Sequence, residues 1–397
     1  MNRLKDTLSI MRHNLPLAIG VACNVLFAIM TLIGAYGGYI YPDEMPVASL
    51  LVMVFPGLIV ADIVLLALDL MLRRPLAWVP AGAMLLSAGA ILDTSPVSLP
   101  MGKPDYEEER RMFTLLTYNT LNFIDNKDIY PDSTNRTVSY ILSTDADVVC
   151  LQECGYIGAF GPLCVTHEQI DSIIERYPYR HVGKNGQTML SKFPFLPIPL
   201  RREKDDEAQF AAYRTNIHGH VTTIFNVHLQ SLGLTTSDRE LFLQMTSVDR
   251  KQSLAHIRSQ LLDKLFAGFE QRARQADRIA LWTQAFDDTN ILLCGDFNDV
   301  TLSYAYRAMQ RAGLKDAYSK AAIGPTITYN DNRFYFHIDQ VFYRGELRPV
   351  KVERGNIPSS DHYPLLVTFM WDKNLRRPLV FDATSMPIDT TYYNHHR

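Results

Sequence analysis

The chain has 397 residues, of which 47% are apolar and 20% charged, with a formal net charge of −3. That composition excludes wholesale disorder, and the near-neutral balance excludes a global basic field of the kind that draws in nucleic acid. Mean hydropathy is −0.06, an average that conceals an uneven chain. Within residues 1–100 the bases are only Arg3, Lys5, Arg12, Arg73 and Arg74, so charge crowds into the last three quarters.

Leu15 to Ile40 contains no Asp, Glu, Lys or Arg and is long enough to cross about 30 Å of hydrocarbon as a helix. Val47 to Leu72 is similar but carries Asp62 and Asp69, and Leu76 to Leu92 is again free of charge. A signal peptide has one short apolar core, so three successive stretches predict three transmembrane helices at about 15–40, 47–72 and 76–92. Arg3, Lys5 and Arg12 precede the first span and Arg73 and Arg74 lie between the second and third, whereas the first loop holds Asp43 and Glu44. The positive-inside rule then puts the N-terminus in the cytoplasm and everything after Asp93 on the outer, periplasmic side of a cell membrane. Asp62 and Asp69 share a helix face and are expected to point into the bundle.

Residues 94–111 read as a linker, with Pro96, Pro100, Gly102 and Pro104 breaking helix and Asp105 to Arg111 as a solvated charge run. From Met112 strands alternate with helices. Strands are expected at Met112–Tyr118, Asp147–Gln152, Gln187–Leu190, Ala211–Ile217, Val221–Leu229, Asn290–Cys294, Phe336–Tyr343 and Pro364–Phe369. Helices are expected at Ser133–Ser143, Ile170–Arg176 and Leu302–Arg311, with a long helical region at Asp238–Ala285 hinged near Gly268. The pattern predicts an α/β fold of layered sheets and helices over residues 112–372, followed by a tail at 373–397.

Polar side chains gather where the apolar strands end. Thr117-Tyr118-Asn119 closes the first strand and Cys150-Leu151-Gln152-Glu153 the second. Asn226-Val227-His228 closes another, and Cys294-Gly295-Asp296-Phe297-Asn298 puts two polar side chains on one face. His337-Ile338-Asp339 and Ser359-Ser360-Asp361-His362 complete the set. One acid at a strand end is usually a cap, but six such ends point to a convergent site.

In that order, Asn119, Glu153, His228, Asp296 with Asn298, Asp339, and Asp361 with His362 resemble the endonuclease/exonuclease/phosphatase (DNase I-like) superfamily, in a bacterial, membrane-anchored form. The Gly-Asp-Phe-Asn and Ser-Asp-His stretches are its most specific pieces, and Ser191-Lys192-Phe193-Pro194 matches a common turn of the family. The resemblance implies a four-layered α/β sandwich, two packed sheets flanked by helices, with the site between sheet edges. His337 departs from it, since many relatives carry Arg before the Asp. Asp299 is another departure, read as a turn or cap residue.

Phosphoester cleavage needs an activated water, charge relief on the phosphoryl oxygens and a protonated leaving oxygen. Glu153 with Asn119, and Asp361 as a third ligand, offer hard oxygens suited to Mg²⁺ or Mn²⁺. No Cys/His cluster has zinc spacing, and no Gly-x-Ser-x-Gly elbow is present. Asp296 beside Asn298 is expected to deprotonate the water. His362 paired with Asp339 is expected to stabilise the oxyanions, and His228 to bond the phosphate or assist the leaving group.

The reading is a membrane-anchored Mg²⁺-dependent phosphoesterase. A surface nuclease and a non-catalytic binding protein on the same fold are the alternatives. The expected partners are the bilayer and a phosphoester, whether lipid head group, nucleic acid or small molecule; no protein partner is indicated. Arg239, Arg250, Lys251, Arg258, Lys264, Arg272, Arg274 and Arg278 in the long helical region are expected to form a solvated face, balanced by Asp249, Asp263, Glu270 and Asp277. Cys154 and Cys164 flank a Gly-rich loop and are a candidate disulfide in the outer compartment.

Overall fold

The computed structural model describes residues 2–98, 102, 104–123, 134–154, 165–183, 186–199, 209–231, 253–286, 290–331, 334–357 and 359–372, with residues 2–16, 209 and 253–261 described by backbone alone. Cys164, Arg239, Asp249, Arg250, Lys251 and the tail at 373–397 lie outside these residues.

The N-terminal part is helical: α1 (Asn2–Tyr36), α2 (Pro46–Met53), α3 (Phe55–Met71), α4 (Trp78–Leu86) and α5 (Ala88–Thr94). Leu17–Tyr39 is long and apolar enough to cross a membrane. The second and third expected spans are not straight. Helices α2 and α3 meet at 68°, and the stretches Pro75–Leu86 and Ala88–Thr94 at 60°, so the described residues hold one to three spans. Pro56 explains the first bend, because its ring collides with the carbonyl four residues back and it has no N–H to give. Ser87 and Gly89 sit at the second. Asp62 does point inward: it is buried and accepts a 2.7 Å hydrogen bond from the Thr31 hydroxyl.

Two six-stranded sheets form the C-terminal part. One has the order β13 (Leu347–Arg354), β14 (Leu365–Trp371), β1 (Met112–Asn119), β2 (Val148–Gln152), β4 (Thr188–Ser191), β3 (Tyr179–Val182). The other runs β5 (Phe195–Ile198), β6 (Gln209–Ile217), β7 (His220–His228), β8 (Asn290–Asp296), β12 (Asp339–Arg344), β9 (Lys315–Asp316). A small hairpin, β10 (Tyr329–Asp331) with β11 (Phe334–Phe336), stands apart. The Val-Val-Cys-Leu run of β2 is buried on both faces, as a central strand requires.

Alternation sorts the side chains into layers. Phe113, Leu115, Val148 and Cys150 of the first sheet pack against Tyr213, Ile224, Leu292 and Cys294 of the second. On the outer face of the first sheet, Leu116, Tyr118 and Val149 meet Val138 and Ile141 of α7 (Arg136–Thr144) and Ile173 of α8 (His167–Arg176). The second sheet's outer face meets Ala276 and Ile279 of α9 (Ser253–Ala285) and Ala305 and Met309 of α10 (Tyr304–Arg311). The result is the four-layered sandwich that the resemblance implied.

Several expectations need correction. The described part of the long helical region is one continuous helix through Gly268, not two hinged there. The strand expected at Phe336–Tyr343 is broken at His337 and Ile338, which separate β11 from β12. Residues 94–111 are not merely a tether. Val97 pairs with Ile323 as a β-bridge, and Asp105 and Glu108 form a reciprocal capping box on a short helix at Tyr106–Glu109.

Candidate active site

Each sheet contains one parallel pair, and that topology assembles the site. In the first sheet β1 runs parallel to β2, with Asn119 opposite Gln152 and Glu153 next in the chain. In the second, β7 runs parallel to β8, with His228 directly opposite Asp296. Antiparallel β12 then sets Asp339 across from Asp296. Parallel strands finish at the same edge, so the polar residue ending each one is delivered to the same place.

Local backbone geometry finishes the work. Glu153 adopts φ +46° and Asn298 φ +48°, left-handed conformations that turn the chain sharply at each strand end. For a non-glycine residue such as Glu153 that conformation costs about 1–3 kcal/mol, a strain that concentrates at functional sites. Gly295 is required where β7 and β8 approach: it has φ +139°, and a Cβ there would lie 1.9 Å from the Val227 carbonyl oxygen.

The side chains form one network. Asn119 donates through Nδ2 to Glu153 Oε1 at 3.1 Å and to Asp296 Oδ2 at 3.0 Å, linking the two sheets. The Asn298 backbone N–H donates to Asp296 Oδ1 at 2.7 Å, while Asn298 Nδ2 donates to the Leu229 carbonyl at 2.9 Å. His228 Nε2 lies 3.6 Å from Asp296 Oδ2 and 3.8 Å from Glu153 Oε1. His362 donates from Nδ1 to Asp339 Oδ2 at 2.8 Å and points Nε2 at Asp296 Oδ2, 3.4 Å away. Burial opposes charge on this imidazole, but Asp339 and Asp296 outweigh it and push its pKa up to about 10. The two carboxylates thus favour the charged form of the His362 imidazole.

Glu153, His228, Asp296, Asn298, Asp361 and His362 line a cleft of about 300 Å³ together with Leu229, Gln230, Ser231 and Tyr329. Asp339 stands behind His362, and Asn119 is buried behind Glu153 and Asp296. All eight residues expected from the sequence thus come to one place. His337 does not line the cleft. It is half-buried against the Tyr318 ring, and desolvation there pushes its pKa down to about 4, which favours the neutral imidazole.

Asp296, Asp339 and His362 lie close enough together to hold an ion. Both imidazole nitrogens of His362 are already turned to carboxylates, Nδ1 to Asp339 and Nε2 to Asp296. Mg²⁺ prefers oxygen donors. Glu153 and Asp361 fit it better, as carboxylates facing the cleft, one of them braced by Asn119.

Sequence reasoning missed the supports. Buried Gln152 donates to Asn226 Oδ1 at 2.7 Å, bridging the sheets beneath the site. The signal was present: Asn226 interrupts an apolar strand two residues before His228, on the same face. Ser360 donates to the Asn119 carbonyl at 2.9 Å and accepts the His362 N–H at 3.1 Å, tying the Ser-Asp-His loop to β1. Thr328 Oγ1 accepts the Ile338 and Asp339 N–H groups at 3.0 Å. The Tyr329 ring packs against His362 at 5.0 Å.

Arg272 does not join the solvated side expected of this helical region, and Asp299 is more than a turn or cap residue. Arg272 is buried, bonds Asp299 Oδ2 at 3.2 Å and donates to the Gln230 carbonyl at 3.2 Å. It thus braces the cleft wall from behind. Arg272→Met leaves the largely enclosed Asp299 without its cationic partner and is expected to lower stability by about 1–3 kcal/mol, read as a fall in unfolding midpoint. An unchanged midpoint would show that the pair is not structural.

The chain matches the model of the Endonuclease/Exonuclease/phosphatase family over residues 116–362, more than half its length. A second model, described as a domain of unknown function, matches residues 17–94. No curated protein matches the chain. Among solved structures, it is similar to an endonuclease/exonuclease/phosphatase from Bacteroides vulgatus, with 17% identity, 66% of this chain and 99% of that one covered, and a TM-score of 0.42. A family protein from Bacteroides thetaiotaomicron is 16% identical, covering 66% and 98%, with a TM-score of 0.41. TDP2 of D. rerio with a single-strand DNA product is 14% identical, covering 65% and 98%, with a TM-score of 0.42. The chain belongs to the Endonuclease/Exonuclease/phosphatase family and is a hydrolase of phosphoester bonds.

Proposed function

We propose that the protein is a membrane-anchored, Mg²⁺-dependent phosphoesterase in which an activated water attacks phosphorus in line with the leaving oxygen. The observation that carries this is the convergence of strand ends from both sheets on one polar cleft of about 300 Å³. Asp296, fixed by the Asn298 N–H and the Asn119 amide, accepts the proton of the attacking water. His362, kept cationic by Asp339, donates to a phosphoryl oxygen as negative charge builds there. His228 stands on the same cleft and protonates the leaving oxygen. Mg²⁺, or Mn²⁺ in its place, held by Glu153 and Asp361 beside Asn119 would offset charge on the phosphoryl oxygens.

The helical part supports anchoring in a cell membrane. Val60, Ile63, Val64, Leu68 and Leu70 are all at least 48% exposed, an apolar surface that suits lipid and not water. Tyr39 and Asp93 meet the catalytic domain at Arg307, whereas Arg74 lies beside Gly20, about 24 Å down α1 from Tyr36. The basic loop is thus at the far end from the catalytic domain. With bases on the cytoplasmic side, the domain would face the outer, periplasmic side. A phosphatase reporter fused to the C-terminus is expected to be active in cells; a silent one, with a cytoplasmic reporter active instead, reverses the topology. Hydrolysis of bis-p-nitrophenyl phosphate that requires Mg²⁺ tests the chemistry.

A further inference from the structure

We propose that the cleft works at the bilayer surface and that its substrate is a phosphoester carried by a membrane lipid. This rests on the anchored-phosphoesterase reading and adds the substrate class.

The catalytic domain does not hang from a free linker. Leu302 is packed in one buried cluster with Ala35, Val52, Phe55 and Ala90 of the apolar helices. Gly38 fits against the Leu302 carbonyl so closely that a Cβ would lie 1.8 Å from it. Arg307 bonds Asp93 at 3.0 Å and stacks over the Tyr39 ring, and Tyr41 meets Tyr304 edge-on at 5.1 Å. Every one of these contacts falls at the same end of the helices, between the first loop and the last turn of α5.

Two short stretches of chain connect that end to the cleft. Leu302 is four residues beyond cleft-lining Asn298, a span of at most about 14 Å. On the other side, Val97 lies three residues beyond α5 and pairs with Ile323, six residues before cleft-lining Tyr329. The cleft is thus held within a few residues of where the helices end, at two separate points. The segment between bridge and cleft is apolar where it is exposed. Val97 is 75%, Ile323 65% and Ile327 39% exposed, continuous with the helices that carry the lipid-facing surface. A surface of this kind beside a bilayer meets lipid.

The cleft itself is lined mainly by acids, amides and imidazoles. Its volume suits a phosphate and head group, leaving acyl chains in the membrane. Hydrolysis would form a bond from the water oxygen to phosphorus, break the bond from phosphorus to the leaving alcohol oxygen, and move the water's proton to that oxygen. Against a polynucleotide, α9 offers no free phosphate grip from Arg272, which is buried, or Arg274, which is paired with Glu270.

The test uses the full chain, reconstituted with Mg²⁺ into vesicles of phosphatidylethanolamine, phosphatidylglycerol and phosphatidic acid. Single-stranded DNA and bis-p-nitrophenyl phosphate are assayed in parallel. Lipid head-group or phosphate release is expected to exceed DNA cleavage. Val97→Asp with Ile323→Asp is expected to reduce lipid turnover about tenfold while leaving bis-p-nitrophenyl phosphate turnover unchanged, because it withdraws only the lipid contact. Turnover of bis-p-nitrophenyl phosphate with intact lipid overturns the inference but spares the phosphoesterase reading. Faster cleavage of DNA than lipid, or an equal loss on both substrates in the double variant, also overturns it. No turnover of any substrate overturns both.

Discussion

Asp296→Asn is expected to lower kcat by about 10²–10⁴-fold while KM changes by less than about threefold. The carboxylate is buried at the end of β8, with Oδ1 taking the Asn298 N–H and Oδ2 taking the Asn119 amide. The amide that replaces it is nearly the same shape, so the fold survives, but it cannot accept the water's proton. An interaction made only in the transition state appears in kcat, and a substrate-binding role would appear in KM instead. His362→Ala is expected to act similarly, since it removes the cation aimed at the developing oxyanion. Asp339→Asn is expected to fall between wild type and these variants, because Asp339 holds the imidazole without touching substrate. Steady-state kinetics on bis-p-nitrophenyl phosphate separates the cases; near wild-type kcat for Asp296→Asn removes it as the base.

Glu153→Gln is expected to abolish most activity at ordinary Mg²⁺ concentrations and to raise the concentration needed for half-maximal turnover. Glu153 is the carboxylate that the end of β2 delivers to the cleft. Gln keeps the size and the left-handed turn but halves the oxygen donors and removes the charge that attracts a hard cation. A Mg²⁺ titration of the variant checks this. Wild-type half-saturation with reduced kcat would assign Glu153 to the chemistry and not to the ion.

The strand ends were legible because their chemistry is local. An apolar strand closing in Glu153, His228 or Asp296 is visible without knowing the fold. The pairing partners were not local: Asp339 faces Asp296 only because β12 runs antiparallel to β8. The edge strands β3, β5 and β13 escaped because they are half exposed and carry Pro, Arg and Lys among the apolar residues. Arg272 escaped for a related reason. On an amphipathic helix a base at the polar boundary looks solvated, and only Asp299, arriving from the loop after β8, gives it a buried partner. The bends at Val54 and Ser87 were hidden because hydropathy reports apolar length and not backbone direction.

The most direct measurement is hydrolysis of bis-p-nitrophenyl phosphate by the purified full chain, first with Mg²⁺, then in excess EDTA, then with Mg²⁺ restored. Release of p-nitrophenol should stop in EDTA and resume on adding Mg²⁺, with Asp296→Asn inert throughout. Undiminished release in excess EDTA, or equal release by Asp296→Asn, would contradict a metal-dependent phosphoesterase working in this cleft.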